Sequence, residues 1–434
     1  MGTGLLVHSV QNIGVTGNME LTEQQSRWLA GEAGASIQWA MTFNEALGHF
    51  FDAPRMVPVS SAHFAPDTRM AGMAGKDLLQ RLVDDNARVV VPSYLDPCTV
   101  DFGRAAELIA SYGLTEEFVQ QDRAVFRHCR ELGFLPTYSC INYQTVTPPR
   151  FGEHLAWGDT GTAISANSIF GARTNFEGGP SALASALTGF TPAYGMHLAE
   201  NRSANLVVKI DCNPREIADW GAIAAWAGQI ATGYDTVPVF YGNFSSPTLN
   251  MLKQLGVALA SYGGHAMFHV VGATPEAPSL EVACGGRIPA DEHVCTETEM
   301  EAVFDRSQLD QEAVDLVVFA APQLSIDEVA EIVDRMDGRR VHSGTKLIMA
   351  VDPQVRAQAD NAGISHTLAA LGAELSTGTC FYQEAPLMRE KTGWRTVVTN
   401  SAKLVNALAS AGYSSAFRRL GTCLDAATTG RLRS

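Results

Sequence analysis

No apolar run in this 434-residue chain approaches the roughly 20 residues that a membrane-crossing helix needs, so a spanning role is not expected. Basic charge is also short. Lys and Arg number 31 against 46 Asp and Glu, a net of −15, and no basic run is interleaved with aromatics. Nucleic acid is therefore a poor partner. The stretch Met1 to Gln11 lacks the cationic and apolar regions of a secretion signal. Leu6 stands where myristoylation calls for Ser or Thr. These absences point to a soluble, cytoplasmic protein. The eight cysteines (98, 129, 140, 212, 284, 295, 380, 423) form no CxxC pair and are scattered through the chain. That excludes a disulfide framework, and any one of them is most simply a small buried hydrophobe.

What the chain does have is a hydrophobic fraction of 46% with 18% charged residues, the balance of a well-packed enzyme. Its length exceeds what one core supports, so two or three subdomains are expected. Thr22-Glu23-Gln24-Gln25 is a capping box that opens a helix ending by Gly34, and a second helix follows over Ser36–Phe51. Arg55–Ser60 and Ala87–Pro92 read as short strands, and Leu114–Leu132 as an amphipathic helix. Strand-like runs at Asn205–Ile210, Val237–Tyr241, Ala266–Val271, Asp315–Ala320 and Lys346–Ala350 alternate with helices over Pro214–Ile230 and Ser246–Ala260. This alternation predicts an α/β fold with largely parallel sheets flanked by helices. We divide the chain into an N-terminal part, 1–204, a β/α subdomain, 205–375, and a C-terminal segment, 376–434, that packs back on the first.

Between them lies a polar block, Tyr138 to Arg202, dense in Asn, Ser, Thr, Gly and Arg. Such residues in such numbers predict loops converging on a polar ligand. In parallel sheets ligands gather beyond the C-terminal strand ends, where Ser60-Ser61, Ser93 to Asp96 and Ala321-Pro322-Gln323 are expected. Asn167, Ser168 and Arg173 offer amide, hydroxyl and guanidinium donors suited to a carboxylate. Ser401 and Lys403 open a helix whose N–H groups favour an anion, although Ser401 also reads as a plain cap. Cys140 and Cys380 are candidates for one site, as metal thiolates or nucleophiles. Cys–His chemistry with His154 or His197 is a further option.

These residues carry a resemblance. Ser60-Ser61-Ala62-His63, Gly152-Glu153…Trp157, Ala166 to Asn175, Phe268 to Ala277, Thr379-Cys380 and Thr399 to Lys403 are similar to the large subunit of the aconitase X family, over nearly the whole chain. The resemblance implies an aconitase-like α/β/α fold of several subdomains. It also implies a hydro-lyase that dehydrates small hydroxy acids such as cis-3-hydroxy-L-proline or mevalonate 5-phosphate. An iron–sulfur cluster or mononuclear iron held by three cysteines, and a base on a small swivelling domain, belong to that family. Here the swivelling domain is expected as a separate subunit. On this reading Arg173, Asn167 and Ser168 hold the carboxylate, with Ser60, Ser61 and Asp96 nearby. Asp159 and Thr160 meet the polar end, Ser401 and Lys403 the leaving group, and Cys140 with Cys380 any metal.

The chain departs from the family pattern at three points. The family's middle cysteine falls at Ala321, which cannot bind metal. Asp159-Thr160-Gly161 replaces Glu-Ser-Ser, and Ile141-Asn142-Tyr143 replaces Thr-Pro-Tyr after Cys140. Two consequences are open: a mononuclear metal with a third ligand such as Cys98 or Gln323, or no metal at all. The first expectation is proton abstraction and β-elimination. A metal-independent isomerase or cyclase, or a non-catalytic subunit, are the alternatives.

Overall fold

The structure, a computed structural model, describes residues 19–66 and 68–432. The reading of Met1 to Gln11 lies outside them. Two edge strands, β1 (Met56–Pro58) and β5 (Phe190–Pro192), form an antiparallel pair. Between them in sequence, β2 (Ala62–Phe64), β3 (Ser93–Leu95) and β4 (Ala156–Trp157) make a parallel sheet in the order β3-β2-β4. A second parallel sheet, in the order β8-β7-β6-β9, holds β6 (Leu206–Asp211), β7 (Pro238–Gly242), β8 (His269–Val270) and β9 (Glu292–Thr296). The third has five parallel strands. They are β10 (Leu316–Leu324), β11 (Lys346–Val351), β12 (Ala373–Thr377), β13 (Thr396–Thr399) and β14 (Ser414–Phe417), in the order β12-β11-β10-β13-β14.

The near-continuous apolar runs of β10 and β11 follow from burial on both faces. All nine residues of β10 are buried, between a cluster around Val317, Phe319 and Met349 and another around Val318, Ile348 and Phe381. The mixed α/β architecture with parallel sheets is the expected one. Its division is different. A boundary at 375 falls inside β12, and the segment 376–434 supplies β13 and β14 to the same sheet as β10 and β11.

Two further expectations are corrected. Ala87–Pro92 is extended but is not a strand, because Val89 N bonds to Leu132 O and Val90 N to Ala186 O. Those acceptors are helix ends, so no neighbouring strand forms, and the strand begins at Ser93. The polar block is not mainly loop. It contains a helix over Thr160–Ser168, whose residues from Gly161 onward are all buried, and another over Gly179–Thr188. Small side chains there allow close packing, and the hydroxyls of Thr162, Ser181 and Thr188 bond to nearby backbone carbonyls instead of facing solvent.

Candidate active site at facing strand ends

The C-terminal ends of the first and third sheets face each other across the loop Ser139–Ile141. Past β3 and β4 come Asp96 and Asp159. Past β12 and β13 come Cys380 and Lys403. The third sheet also sends in Gln323 from an irregular stretch of β10, where the register with β11 shifts between Phe319 and Leu324. Within that stretch Ala321 has φ 56° and a cis bond to Pro322. The sheets are stitched together here by Cys98 N to Gly378 O at 2.9 Å and Cys380 N to Cys98 O at 3.2 Å.

Lys403 lies near the start of the helix Ala402–Ala409 and its side chain is 15% exposed. Its Nζ is 3.8 Å from Asp159 Oδ1. Asp159 is the cap of the helix Thr160–Ser168, its Oδ2 accepting from Thr162 N at 2.9 Å. Burial alone would push the Lys403 ammonium down, but the carboxylates around it, Asp159 foremost and then Asp96, hold it above its ordinary value. Lys403 therefore stays charged, at the entrance of two helices whose N-termini both favour negative charge.

Burial, then Asp159 and Asp96, push the Cys140 thiol up; the Gln323 N–H and Lys403 act against them. Burial and Cys140 do the same to Cys380. Both sulfurs are thus protonated thiols in this environment. Cys140 is fixed by Gln323, whose backbone N–H reaches its Sγ at 3.3 Å and whose Oε1 accepts from Cys140 N at 3.0 Å. The Gln323 Nε2 donates to the carbonyls of Tyr138, Thr379 and Val351. The buried Lys253 holds the Gln323 carbonyl at 3.2 Å while paired with Glu328. A second brace comes from Asp352, whose Oδ2 accepts from Ser139 Oγ at 2.7 Å and from Thr145 Oγ1 at 2.6 Å.

A cluster of the kind the resemblance implies needs three thiolates among these donors. Ala321 offers only a methyl group. Cys98 donates its thiol to Val100 O at 3.1 Å and Gly378 O at 2.9 Å, so it is committed to backbone. The Gln323 amide is spent on Cys140 and three carbonyls. Among the described residues no group of three or more His, Cys, Asp or Glu is arranged to hold a metal ion. The donor set does not fit a cluster held by three thiolates.

Several sequence-derived candidates lie elsewhere or have other duties. Ser60 and Ser61 do not follow a strand of the parallel sheet; the chain turns from β1 directly into β2, so they sit at its N-terminal end. There Ser60 Oγ donates to His154 O, and Ser61 Oγ accepts from Trp157 Nε1. Asn167 donates both amide hydrogens, to Thr174 O and Ala266 O, and its Oδ1 accepts from Thr174 N. Ser168 Oγ accepts from Phe268 N. Ser401 caps its helix through Leu404 N and donates to Ala321 O at 2.7 Å. Arg173 lines a separate cavity with His154 and His197. Thr160 begins the Asp159-capped helix, beside the site.

Two residues at the site were not singled out from sequence for a role. His63 is fully buried, with Nε2 2.8 Å from Ser139 O and 3.7 Å from Asp96 Oδ1. Burial holds its imidazole below the ordinary value, against the pull of Asp159. Tyr382 follows Cys380, which together with burial pushes its phenol up. An alternating strand next to a buried polar end could have flagged His63; nothing local marks Tyr382.

Residues 18–200, 204–305 and 314–429 match, in turn, the aconitase X first, second and third domains. The chain is 31% identical over 398 residues to the phosphomevalonate dehydratase large subunit of Thermococcus kodakarensis, covering 91% of this chain and 96% of that one. It is 33% identical over 408 residues to the cis-3-hydroxy-L-proline dehydratase of Pseudomonas aeruginosa, covering 93% of this chain and 69% of that one. The crystal structure of Thermococcus kodakaraensis aconitase X in its holo-form matches with a TM-score of 0.84 at 30% identity, over 94% of this chain and 100% of that one. None of the described helices is long and apolar enough to cross a membrane. The chain belongs to the aconitase X family.

Proposed function

We propose that this chain is the large subunit of a cytoplasmic hydro-lyase that removes water from a small hydroxy acid without a metal. The observation that carries this reading is the Lys403–Asp159 pair, 3.8 Å apart and largely buried at facing strand ends. The substrate carboxylate sits near the two helix N-termini. Asp159 takes the proton from the carbon next to that carboxylate. The bond between the neighbouring carbon and its hydroxyl breaks, and Lys403 delivers a proton to the departing oxygen, which leaves as water. The proton gained by Asp159 then passes back to Lys403, so the pair is restored. Asp96, Thr160 and Tyr382 border the same space and orient the substrate's polar groups. Cys140 and Cys380 serve as neutral packing groups. A separate small subunit covers the opening, in keeping with the relatives named large subunits.

A second reading rests on the same substitution at Ala321. A scaffold lacking one thiolate can abstract the same proton and return it elsewhere, giving an isomerase or cyclase. One experiment separates the two. The chain, assembled with its small subunit, is incubated in deuterated water with cis-3-hydroxy-L-proline and, separately, with mevalonate 5-phosphate and other small hydroxy acids. Product with the mass of one water fewer is the expected result. A product that keeps all its oxygen and gains only carbon-bound deuterium transfers the assignment to an isomerase or cyclase. No product and no deuterium uptake at the acidic carbon would sink both readings.

A further inference from the structure

At the other end of the first sheet from the candidate active site lies a cavity of ≈ 380 Å³, lined by Arg55, His154, Arg173, His197 and Glu200 among others. Asp159 lies five positions after His154 along mostly extended chain, a span of roughly 16 Å at about 3.3 Å per residue. The cavity is therefore not part of the Lys403–Asp159 site. Its volume falls in the range that small-molecule sites occupy.

Its charge is unbalanced. Among the described residues neither Arg55 nor Arg173 has a carboxylate within salt-bridge distance, and the Arg173 guanidinium makes one hydrogen bond, Nη1 to His197 O at 2.8 Å. The nearby Arg202 is different: it is paired with Glu276 and donates to Met196 O and Asn167 O. Two guanidiniums thus face one carboxylate, Glu200, across the cavity.

A histidine pair forms the floor. His154 Nδ1 and His197 Nδ1 are 2.9 Å apart, so one donates and the other accepts. His197 Nε2 points toward the buried Glu177, 4.0 Å away, whose Oε1 accepts from Thr191 Oγ1. Burial, then His197, Arg173, Arg202 and Arg55, hold the His154 imidazole down to about 4. Positive charge is thus in excess around the cavity, with Arg55 and Arg173 against Glu200.

We infer that this cavity is a second binding site, for a small organic oxyanion (a carboxylate or a phosphate ester), held by the forks of Arg55 and Arg173 with His154 beside them. An oxyanion there would form charge-assisted bonds to both guanidiniums. It would also offset the repulsion that adds to burial in keeping His154 neutral, so that the His154 midpoint rises as the ligand binds.

The test follows the His154 imidazole by NMR in the full chain, titrated with pH in the presence of inorganic phosphate and, in a second arm, acetate. Saturable binding that raises the His154 midpoint above about 4 is expected in at least one arm, and the stronger arm names the ligand class. Arg55→Gln, at an exposed position, and Arg173→Gln should each weaken the binding by about tenfold or more. Lys403→Met should leave it unchanged. An identical His154 titration with and without both anions overturns the proposal. So does binding that survives both arginine substitutions, or binding lost in Lys403→Met, which would place the anion at the other site.

Discussion

Gln323 Oε1 accepts a hydrogen bond from the backbone N–H of Cys140 at 3.0 Å, and Gln323 N returns one to Cys140 Sγ at 3.3 Å. This reciprocal pair joins the polar loop after Tyr138 to the irregular end of β10. It also sets an amide oxygen 3.7 Å from the Cys140 sulfur.

Gln323→Leu removes the acceptor for Cys140 N and the donor for the carbonyls of Tyr138, Val351 and Thr379. Leaving several buried backbone groups without partners should cost about 2–5 kcal/mol of stability, measured by urea unfolding. A loss below about 1 kcal/mol would show that water replaces the amide without penalty.

Ala321→Cys restores a third thiol. Cys and Ala both carry a Cβ, so the φ of 56° at this position is no new obstacle. Anaerobic reconstitution followed by iron and sulfide analysis should load the variant and leave the natural protein without stoichiometric iron. A natural chain that binds a full complement of iron refutes the metal-free mechanism.

Lys403→Met keeps the stem and removes the charge, and Asp159→Asn keeps the helix cap. Each should lower kcat of the assembled enzyme by about 10²–10⁴ with the fold retained. The double variant should be little worse than the poorer single one, since the two groups exchange one proton. Activity within about threefold of the parent in either single variant would remove that residue from the chemistry.

Stability should peak in a defined pH window. Burial holds His63, His265 and His269 below the ordinary imidazole value, and His154 is held down to about 4. The unfolded chain therefore binds more protons than the folded one below about pH 6.5, and stability falls as pH drops. Burial pushes the thiols of Cys98, Cys129, Cys140, Cys380 and Cys423 up. Unfolded thiols ionise from about pH 8.5 while the folded ones keep their protons, so stability falls again as pH rises. Urea unfolding across this range should place the maximum between about 6.5 and 8.5. A maximum outside it would mean that other groups dominate the linkage.

Strands that are buried on both faces could be read from the chain itself. Asn205–Ile210, Val237–Tyr241 and Lys346–Ala350 are observed as Leu206–Asp211, Pro238–Gly242 and Lys346–Val351, because burial demands an unbroken apolar run whatever the neighbours do. The pairing between distant segments could not be read, which is why the boundary at 375 cut a sheet that β13 and β14 complete. The candidate site was legible in pieces: Asp96 past a strand end, Cys140 with Cys380 as a pair, Lys403 at a helix start and Asp159 through the family resemblance; the structure brings these five together. Asn167, Ser168 and Ser401 share that composition but are turned onto backbone groups. Whether an amide or hydroxyl meets a ligand or a carbonyl depends on tertiary contacts, and composition is silent on those.

The two halves of the proposed proton-exchange pair lie far apart in the chain, at positions 159 and 403. Asp159 leaves the ribosome long before Lys403, and a product ending after β9 would carry the first two sheets and one partner only. Such a fragment has a carboxylate with no proton to trade. Turnover by this pair would therefore report on complete synthesis.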